Sequence, residues 1–266
     1  MFYQPTTVAE ALELKSRLGA EARFLAGGTD LVVQAEKGRF QFDKVVDISR
    51  LTELTGTRDE GDWLYVGAGC PHRALERWDV LVLAAAARTV GGPQIRNRGT
   101  VGGNVANASP AGDVSVALLA LDAQVDLVSV RGTRSMPLHE FFVHVGRTAI
   151  APDELIMGFR FRRPAASAFY KVGKRTAVAI SVVCAGISIT PEGHPVIALG
   201  SVAPTPKRLF ETEAYLREHG LTPTTIEVAS RLASEEVTPI TDHRASGDYR
   251  RALAGSLVSR LLSQLT

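Results

Sequence analysis

The stretch Thr100-Val-Gly-Gly-Asn-Val-Ala-Asn-Ala-Ser-Pro-Ala-Gly-Asp113, read together with the upstream run Leu25-Ala-Gly-Gly-Thr-Asp-Leu31, decides how this chain is organised. Each run contains two adjacent glycines, with threonine and aspartate close by. Glycine lets the backbone turn tightly and approach a ligand closely. Successive N–H groups in such a turn form an anion-binding nest. A single Gly-Gly pair more often forms only a tight turn without a binding role. The two similar runs together predict a pair of nests suited to a diphosphate with sugar alcohols on either side.

The common nucleotide-binding motifs are missing from the sequence. Neither run is the G-x-G-x-x-G fingerprint of a Rossmann unit. The nearest match, Gly67-Ala-Gly69-Cys-Pro-His72, lacks the third glycine. A G-x-x-x-x-G-K-[ST] phosphate loop is also missing. We therefore expect a ligand that is not held in the usual nicotinamide or nucleoside-triphosphate manner.

Composition narrows the class of protein. The 266 residues are 45% hydrophobic and 22% charged, which is ordinary for a globular chain of one or two domains. The formal net charge of +2 is spread along the sequence, so no nucleic-acid-binding stripe is expected. No apolar run is long enough for a membrane span. The first residues lack the features of a signal peptide, and we expect a cytoplasmic protein.

Side chains that could perform catalysis or bind a metal are scattered. Cys70 and Cys184 are far apart and cannot supply the thiolates of an iron–sulfur cluster, so both are expected to be buried structural residues. His139 and His144 do not share a helical face, and no metal site is predicted in this chain. No nucleophile motif and no acid–base pair of carboxylates stands out. Predicted anion-binding nests without a set of catalytic side chains indicate that a cofactor supplies the reactive atom.

The hydrophobic pattern predicts an α+β protein with a boundary at Arg162-Arg163-Pro164. Before the boundary, helices are predicted over 8–18, 31–36, 71–76, 80–90 and 114–121, and strands over 23–26, 44–48, 63–67, 124–130 and 156–161. After it come strands over 169–172, 181–190 and 196–202, and then helices over 209–218, 224–234 and 249–265. Three strands followed by three helices predict a small domain with helices on one face of a three-stranded sheet.

Several blocks of this sequence resemble one family, the FAD-binding medium subunits of molybdenum hydroxylases of the xanthine dehydrogenase and carbon monoxide dehydrogenase type. The matching blocks, in the family's order, are Leu25-Ala-Gly-Gly-Thr-Asp-Leu31, Ile95-Arg-Asn-x-Gly-Thr-Val-Gly-Gly-Asn104 with Ala108-Ser-Pro-x-x-Asp113, Tyr170-Lys-Val-Gly-Lys-Arg175 with Ala179-Ile-Ser-Val-Val183, Gly200-Ser-Val-Ala-Pro-Thr-Pro206, and Asp242-x-Arg-Ala-Ser-x-x-Tyr-Arg250. The resemblance covers nearly the whole chain. Relatives that act on aromatic acyl-CoA thioesters carry an extra cysteine-rich segment, and its absence here argues against that branch.

The resemblance implies a two-lobed FAD-binding domain of the vanillyl-alcohol-oxidase (PCMH) type, followed by a small α+β domain. The implied boundaries are 1–163, with lobes of about 1–55 and 56–163, and 164–266. Carried over by position, the first run would hold the FAD diphosphate through backbone N–H groups, the second would contact the other side of the dinucleotide, and Asp113 would accept a hydrogen bond from a cofactor hydroxyl. The implied FAD-binding residues are Arg23, Leu25, Ala26, Gly27, Gly28, Thr29, Asp30, Leu31, Thr100, Gly102, Gly103, Asn104, Asn107, Asp113, Ile156 and Lys171. The cations Arg96, Arg98, Lys174 and Arg175 are expected near the flavin, although solvated loop charges are an equal alternative for each.

The resemblance also implies a function. Substrate would be hydroxylated at a molybdenum cofactor on a large partner subunit, and electrons would pass through [2Fe–2S] clusters on a small partner to this FAD. NAD⁺, a quinone or dioxygen would then reoxidise the flavin, with no catalytic side chain in this polypeptide and a dimer of heterotrimers as the assembly. Two alternatives are a self-contained FAD-dependent oxidase of the vanillyl-alcohol-oxidase type and a flavin-free bridging subunit.

Overall fold

The amino-terminal lobe is a small parallel sheet with two helices. The computed structural model describes residues 1–38 and 43–266. The lobe consists of β1 (Phe2–Tyr3), α1 (Val8–Leu18), β2 (Ala22–Leu25), α2 (Leu31–Glu36) and β3 (Lys44–Asp47). Both β1 and β2 pair with β3 in parallel. Thr7 caps α1 by accepting a hydrogen bond from the Glu10 N–H at 3.1 Å. The first glycine run follows directly from β2 and therefore lies at the end of this strand.

The second lobe is a five-stranded antiparallel sheet backed by buried helices. Its strands, in spatial order, are β4 (Thr57–Glu60), β5 (Trp63–Gly67), β10 (Leu155–Arg162), β6 (Gln124–Ser129) and β7 (Gly132–Pro137). Its helices are α3 (His72–Leu75), α4 (Leu81–Thr89), α5 (Pro93–Arg98), α6 (Val101–Ala106), α7 (Asp113–Ala120) and α8 (Leu138–Phe141), and a hairpin is formed by β8 (Phe142–His144) and β9 (Arg147–Thr148). Every residue of α7 is buried, so this helix has no solvent face.

The carboxy-terminal part is an antiparallel sheet with three helices. The strands β11 (Ala166–Gly173), β12 (Ser181–Ile189), β13 (Pro195–Gly200) and β14 (Lys207–Arg208) pair in this order, and α9 (Phe210–His219), α10 (Pro223–Glu235) and α11 (Gly247–Leu265) follow. The three predicted strands are confirmed, and the two-residue β14 extends their sheet. Every residue of β12 is buried because the helices of this domain cover one face and α4 and α7 cover the other.

Several short elements were not predicted, and for four of them the physical reason is clear. The strands β4 and β7 consist mostly of exposed polar residues, so they lack the alternation that marks a half-buried strand. The helices α5 and α6 are each only six residues long, and α6 contains both glycines of the second run. The expected loop nest at Thr100 is therefore wrong: the run begins a short helix that Thr100 caps. Within the described ranges, no helix combines the length and apolar character that a membrane span requires.

One buried guanidinium ties the last helix to the sheet. Arg250 in α11 is only 2% exposed. Its Nη1 donates hydrogen bonds to the carbonyls of Val182 and Ser201 at 2.7 and 3.0 Å. Its Nη2 donates to Asp242 Oδ1 at 2.7 Å. Backbone and side-chain donors around Asp242 lower the pKa of that carboxyl to about 2 despite its desolvation.

We expect Arg250→Leu to lower the free energy of unfolding by about 3–5 kcal/mol, because it leaves two buried carbonyls without this donor and removes one of the guanidinium partners of Asp242. The matched control is Arg251→Leu. Arg251 pairs with Asp248 on the surface at 2.8 Å, and such exposed pairs contribute only about 0–1 kcal/mol. Urea unfolding followed by circular dichroism measures both variants. Equal losses would show that the Arg250 network does not hold the helix.

Candidate functional site

The two glycine runs meet backbone to backbone. A Cβ atom added at Gly27 would lie 2.0 Å from the carbonyl oxygen of Arg98 and 3.0 Å from the Cα of Gly99. No side chain fits there, so glycine is required at position 27 by packing within the protein. At Gly28 the requirement is conformational, since its φ of 74° lies in the left-handed region. Residues that are far apart in sequence thus form one continuous surface.

A cleft opens between the lobes at this junction. Its larger part has a volume of about 780 Å³ and its smaller part about 290 Å³. The two parts share walls that include Phe24, Gly27, Thr100 and Ile150, so we treat them as one cleft. Its size falls in the range of sites that enclose a small molecule or cofactor.

Most of the predicted binding residues line this cleft. The larger part is lined by Arg23, Ala26, Gly27, Gly28, Thr29, Asp30, Leu31, Thr100, Gly103, Asn104 and Asn107, and the smaller part adds Gly102 and Ile156. The three predicted residues that are not among the lining residues are Leu25, Asp113 and Lys171. Leu25 packs beside Gly28, with its Cδ1 3.4 Å from the position of a Cβ there.

The two runs differ in the N–H groups that they present. Among the described residues, none accepts a hydrogen bond from the backbone N–H groups of residues 27–30. In the second run the N–H groups are used within the protein. Val101 donates to Cys70 O at 3.0 Å, Gly102 donates to Ala68 O at 2.8 Å, and Gly103 donates to Thr100 Oγ1 at 3.1 Å. The first run therefore supplies the donors for an anion, and the second run supplies a capped helix as the facing wall.

Polar side chains connect the two runs across the cleft. Gln34 donates a hydrogen bond from Nε2 to the Asp30 carboxylate and lies 3.5 Å from Asn107 Oδ1. Asn104 Oδ1 accepts hydrogen bonds from the N–H and the hydroxyl of Ser115, at 3.1 and 3.0 Å. Asn104 is thereby oriented by the first turn of α7. These contacts place amide groups on both sides of the space that the first run faces.

Asp113 and Lys171 form a buried ion pair at the junction of the two domains. Their side chains are 4% and 11% exposed, and the Lys171 Nζ lies 2.6 Å from Asp113 Oδ2. The other oxygen of Asp113 accepts a hydrogen bond from Ser181 Oγ at 2.6 Å. Lys171 also donates to Thr89 O at 3.1 Å. The partners of Asp113 in this structure are protein groups, and its predicted bond to a cofactor hydroxyl stays a prediction.

The four cations expected near the flavin have different surroundings. Arg96 pairs with Glu76 at 2.6 Å and donates to Gly91 O at 3.0 Å. Lys174 donates to His243 O at 2.5 Å, and Arg175 donates to Val178 O at 3.0 Å. Of the four, Arg98 is the one whose residue lines the cleft. Arg98 thus belongs to the wall of the cleft, the other three cations have partners within the protein, and the nearness of all four to a flavin stays a prediction.

Lys15 and His72 are among the lining residues that sequence reasoning missed. Lys15 is buried and donates from Nζ to Ala22 O at 2.6 Å and to Gly19 O at 3.2 Å. Burial, with a smaller contribution from Arg23, lowers the pKa of this lysine. His72 is 2% exposed, and burial lowers its pKa to about 4, with Arg96 adding to the effect. No motif marks either residue, because each reaches the cleft only through the way the lobes fold together.

Metal-binding groups are not assembled in the described part of the chain. No group of three or more His, Cys, Asp or Glu residues lies close enough there to hold a metal ion. Cys70 and Cys184 are both buried and free. Burial raises the pKa of each thiol, which disfavours the thiolate form.

Comparison with known proteins finds two family models that match the chain. Residues 1–163 match the family model of the FAD-binding domain in molybdopterin dehydrogenase, and residues 168–265 match that of the CO dehydrogenase flavoprotein C-terminal domain. The chain is 31% identical to the carbon monoxide dehydrogenase medium chain of Hydrogenophaga pseudoflava, over 98% of this chain and 95% of that one. It is 35% identical to the nicotinate dehydrogenase FAD-subunit of Eubacterium barkeri, over 98% and 94%.

A solved structure gives the same fold. The structure of the carbon monoxide dehydrogenase from Hydrogenophaga pseudoflava that lacks the Mo-pyranopterin moiety of the molybdenum cofactor superimposes with a TM-score of 0.92 at 31% identity. The match covers 99% of this chain and 96% of that chain. The predicted fold class, with its FAD-binding and carboxy-terminal domains, is confirmed.

We expect Gly27→Ala to lower the free energy of unfolding by about 3 kcal/mol or more, because the added methyl group meets a backbone carbonyl that cannot move alone. The control is Gly193→Ala in the turn between β12 and β13. Gly193 has a φ of 85° and open space around it. Gly193→Ala should therefore lower the free energy of unfolding only through backbone strain, by about 1–2 kcal/mol. Urea unfolding compares the two variants. Similar losses would mean that the lobes do not depend on this contact.

Proposed function

Because this chain belongs to the family of FAD-binding subunits of molybdopterin dehydrogenases, we propose that it is the electron-transfer flavoprotein of a molybdenum hydroxylase complex. Electrons from [2Fe–2S] clusters of a small partner subunit reach the FAD of this chain and leave it for NAD⁺, a quinone or dioxygen. The chain is a subunit of an oxidoreductase, and the organic substrate is chosen elsewhere in the complex. The observation that carries the proposal is the cleft whose first glycine run presents unused N–H groups.

The chemistry of the cleft fits the two ends of FAD. Its smaller part has apolar walls, including Ile48, Leu54 and Ile156, which suit the flat adenine ring. At the larger part, the N–H groups of residues 27–30 suit a diphosphate. Arg23 and Lys15 on the same wall add positive charge. The proposed FAD-binding residues are those of the two runs with Arg23, Ile156, Asp113 and Lys171.

Bound FAD supplies the redox chemistry, and the side chains of this protein hold it in place. Thr100 keeps α6 capped so that Gly103 faces the cofactor without a side chain. Asn104 and Asn107 offer amide groups to the sugar alcohols. The apolar walls exclude water from the ring that they enclose. On this proposal no residue of the chain acts as acid or base on the organic substrate.

The relatives named above, which include a medium chain and an FAD-subunit, support the proposed partners. A small iron–sulfur subunit and a large molybdopterin subunit complete the complex, and we propose a dimer of heterotrimers in the cytoplasm. Within the chain we propose that residues 1–163 form the FAD-binding domain, with lobes of about 1–55 and 56–163, and that residues 164–266 form the second domain. One hydrophobic cluster lies wholly before the boundary and another wholly after it, which supports this division, and a third cluster crosses the boundary through Cys184 and Ala198.

The direct test is an absorption spectrum and a metal analysis of the protein, purified alone and with the subunits that accompany it. We expect oxidised-flavin bands in the chain, no iron in the isolated chain, and molybdenum with iron in the complex. A colourless protein that does not take up FAD would contradict the prediction that the glycine runs bind this cofactor. A yellow chain that oxidises a small substrate without partners would instead be a self-contained oxidase.

We expect Gly103→Val to weaken FAD binding by about tenfold or more, because its side chain would enter the cleft. A Cβ at Gly103 meets only Thr100 Oγ1, at 2.9 Å, so the cost in folding should stay near that of a lost helix cap, about 1 kcal/mol. Ala166→Val at the start of β11 is the control outside the cleft. Flavin fluorescence titration measures binding. Unchanged affinity in Gly103→Val would place the cofactor elsewhere.

A further inference from the structure

One side chain of the cleft has an unusual hydrogen-bonding situation. The Nδ1 atom of His72 is enclosed by protein and has no hydrogen-bond partner among the described residues. Buried polar atoms in native proteins nearly always have such a partner. The residue is nevertheless fixed in place, since its backbone N–H donates to Gly99 O at 3.0 Å and Pro71 bridges to Thr100. The backbone before α3 therefore holds the imidazole against the second glycine run.

The other edge of the ring faces the meeting point of the two runs. His72 lines the larger part of the cleft. Its Cδ2 atom, which is bonded to Nε2, lies 3.2 Å from the position of a Cβ at Gly99. The Thr29 hydroxyl lies 3.3 Å from that same position. The Cδ2–Nε2 edge of His72 and the hydroxyl of the first run therefore converge on Gly99, beside the N–H groups proposed to hold the diphosphate.

The enclosed Nδ1 determines which nitrogen carries the proton. A neutral imidazole has one N–H donor and one bare acceptor nitrogen. A proton on Nδ1 would leave a buried N–H without an acceptor, and such orphaned donors are rarer than under-satisfied acceptors. The proton therefore belongs on Nε2, at the edge that faces the cleft. His72 presents a donor to a ligand and keeps its lone pair toward the protein.

We infer that His72 donates a hydrogen bond from Nε2–H to an oxygen of the FAD diphosphate and positions the cofactor at the junction of the two glycine runs. This inference rests on the proposed FAD binding and adds a side-chain donor to the backbone donors of residues 27–30. A neutral donor suits this place, because the lowered pKa keeps the ring uncharged at physiological pH. The bond then changes little with pH in that range.

The test compares His72→Gln with His72→Met in the native complex after its flavin has been removed. The amide nitrogen of glutamine reaches the place of Nε2, whereas methionine has similar length and no donor. We expect His72→Met to bind FAD about tenfold or more weakly than wild type, because it loses a hydrogen bond to a charged acceptor. We expect the FAD affinity of His72→Gln to stay within about a few-fold of wild type. ADP, which carries the same diphosphate, should show the same difference in competition with FAD.

A measurement on the wild-type protein avoids any folding defect of the variants. Nitrogen-15 NMR of labelled histidine should show the proton of His72 on Nε2 and a shift of that nitrogen when FAD is added. Equal FAD affinities of His72→Met and wild type, an unmoved Nε2 signal, or an effect on FAD without one on ADP would each overturn the assignment. If wild-type protein does not bind FAD at all, the proposed function itself fails, which separates the two conclusions.

Discussion

The contact between Gly27 and the Arg98 carbonyl is the constraint on which the site depends. A Cβ at Gly27 would lie 2.0 Å from that oxygen, so the first lobe can approach α5 only with glycine at this position. The approach brings the unused N–H groups of residues 27–30 opposite the start of α6. Without it the same N–H groups would face solvent, and an anion held there would lose most of the electrostatic advantage of an enclosed site. Packing between the lobes and ligand binding therefore rely on the same glycine.

The second constraint is the burial of α7 between two sheets. This helix packs on the five-stranded sheet of the FAD-binding domain and also on β12 and β13 of the second domain. Close packing needs small residues on the far side, and a Cβ at Gly186 would lie only 3.1 Å from the Ala120 Cβ. Since α7 begins at Asp113, the last residue of the second run, the position of the second domain is fixed relative to the cleft. The packing at the domain junction therefore also determines the geometry of the cleft.

How much could be predicted from the sequence depended on how local the signal was. The helix over 8–18 and the strand over 63–67 were placed correctly, because apolar periodicity and a cap or a glycine turn mark their ends. Most of the binding residues that the family resemblance implied line the cleft. The reason for each glycine could not be predicted from the sequence. Gly27 is required by contact with a carbonyl of the other lobe, and Gly28 is required by its own φ angle. His72 was missed for the same reason: its neighbours Gly99 and Thr29 come from distant parts of the chain.

The ion pair of Asp113 and Lys171 shows how a structural contact and a binding role can coexist. Breaking a buried pair by removing one partner costs about 3–5 kcal/mol, so a ligand that displaced Lys171 from Asp113 would bind poorly. A carboxylate has roughly four acceptor positions, and Lys171, Ser181 and the Thr89 hydroxyl are three of its donors here. An ammonium has three donors, and those of Lys171 serve Asp113 and Thr89 O. Each group can therefore make one further contact while the pair stays intact. The pair therefore joins the two domains whether or not it also contacts a ligand.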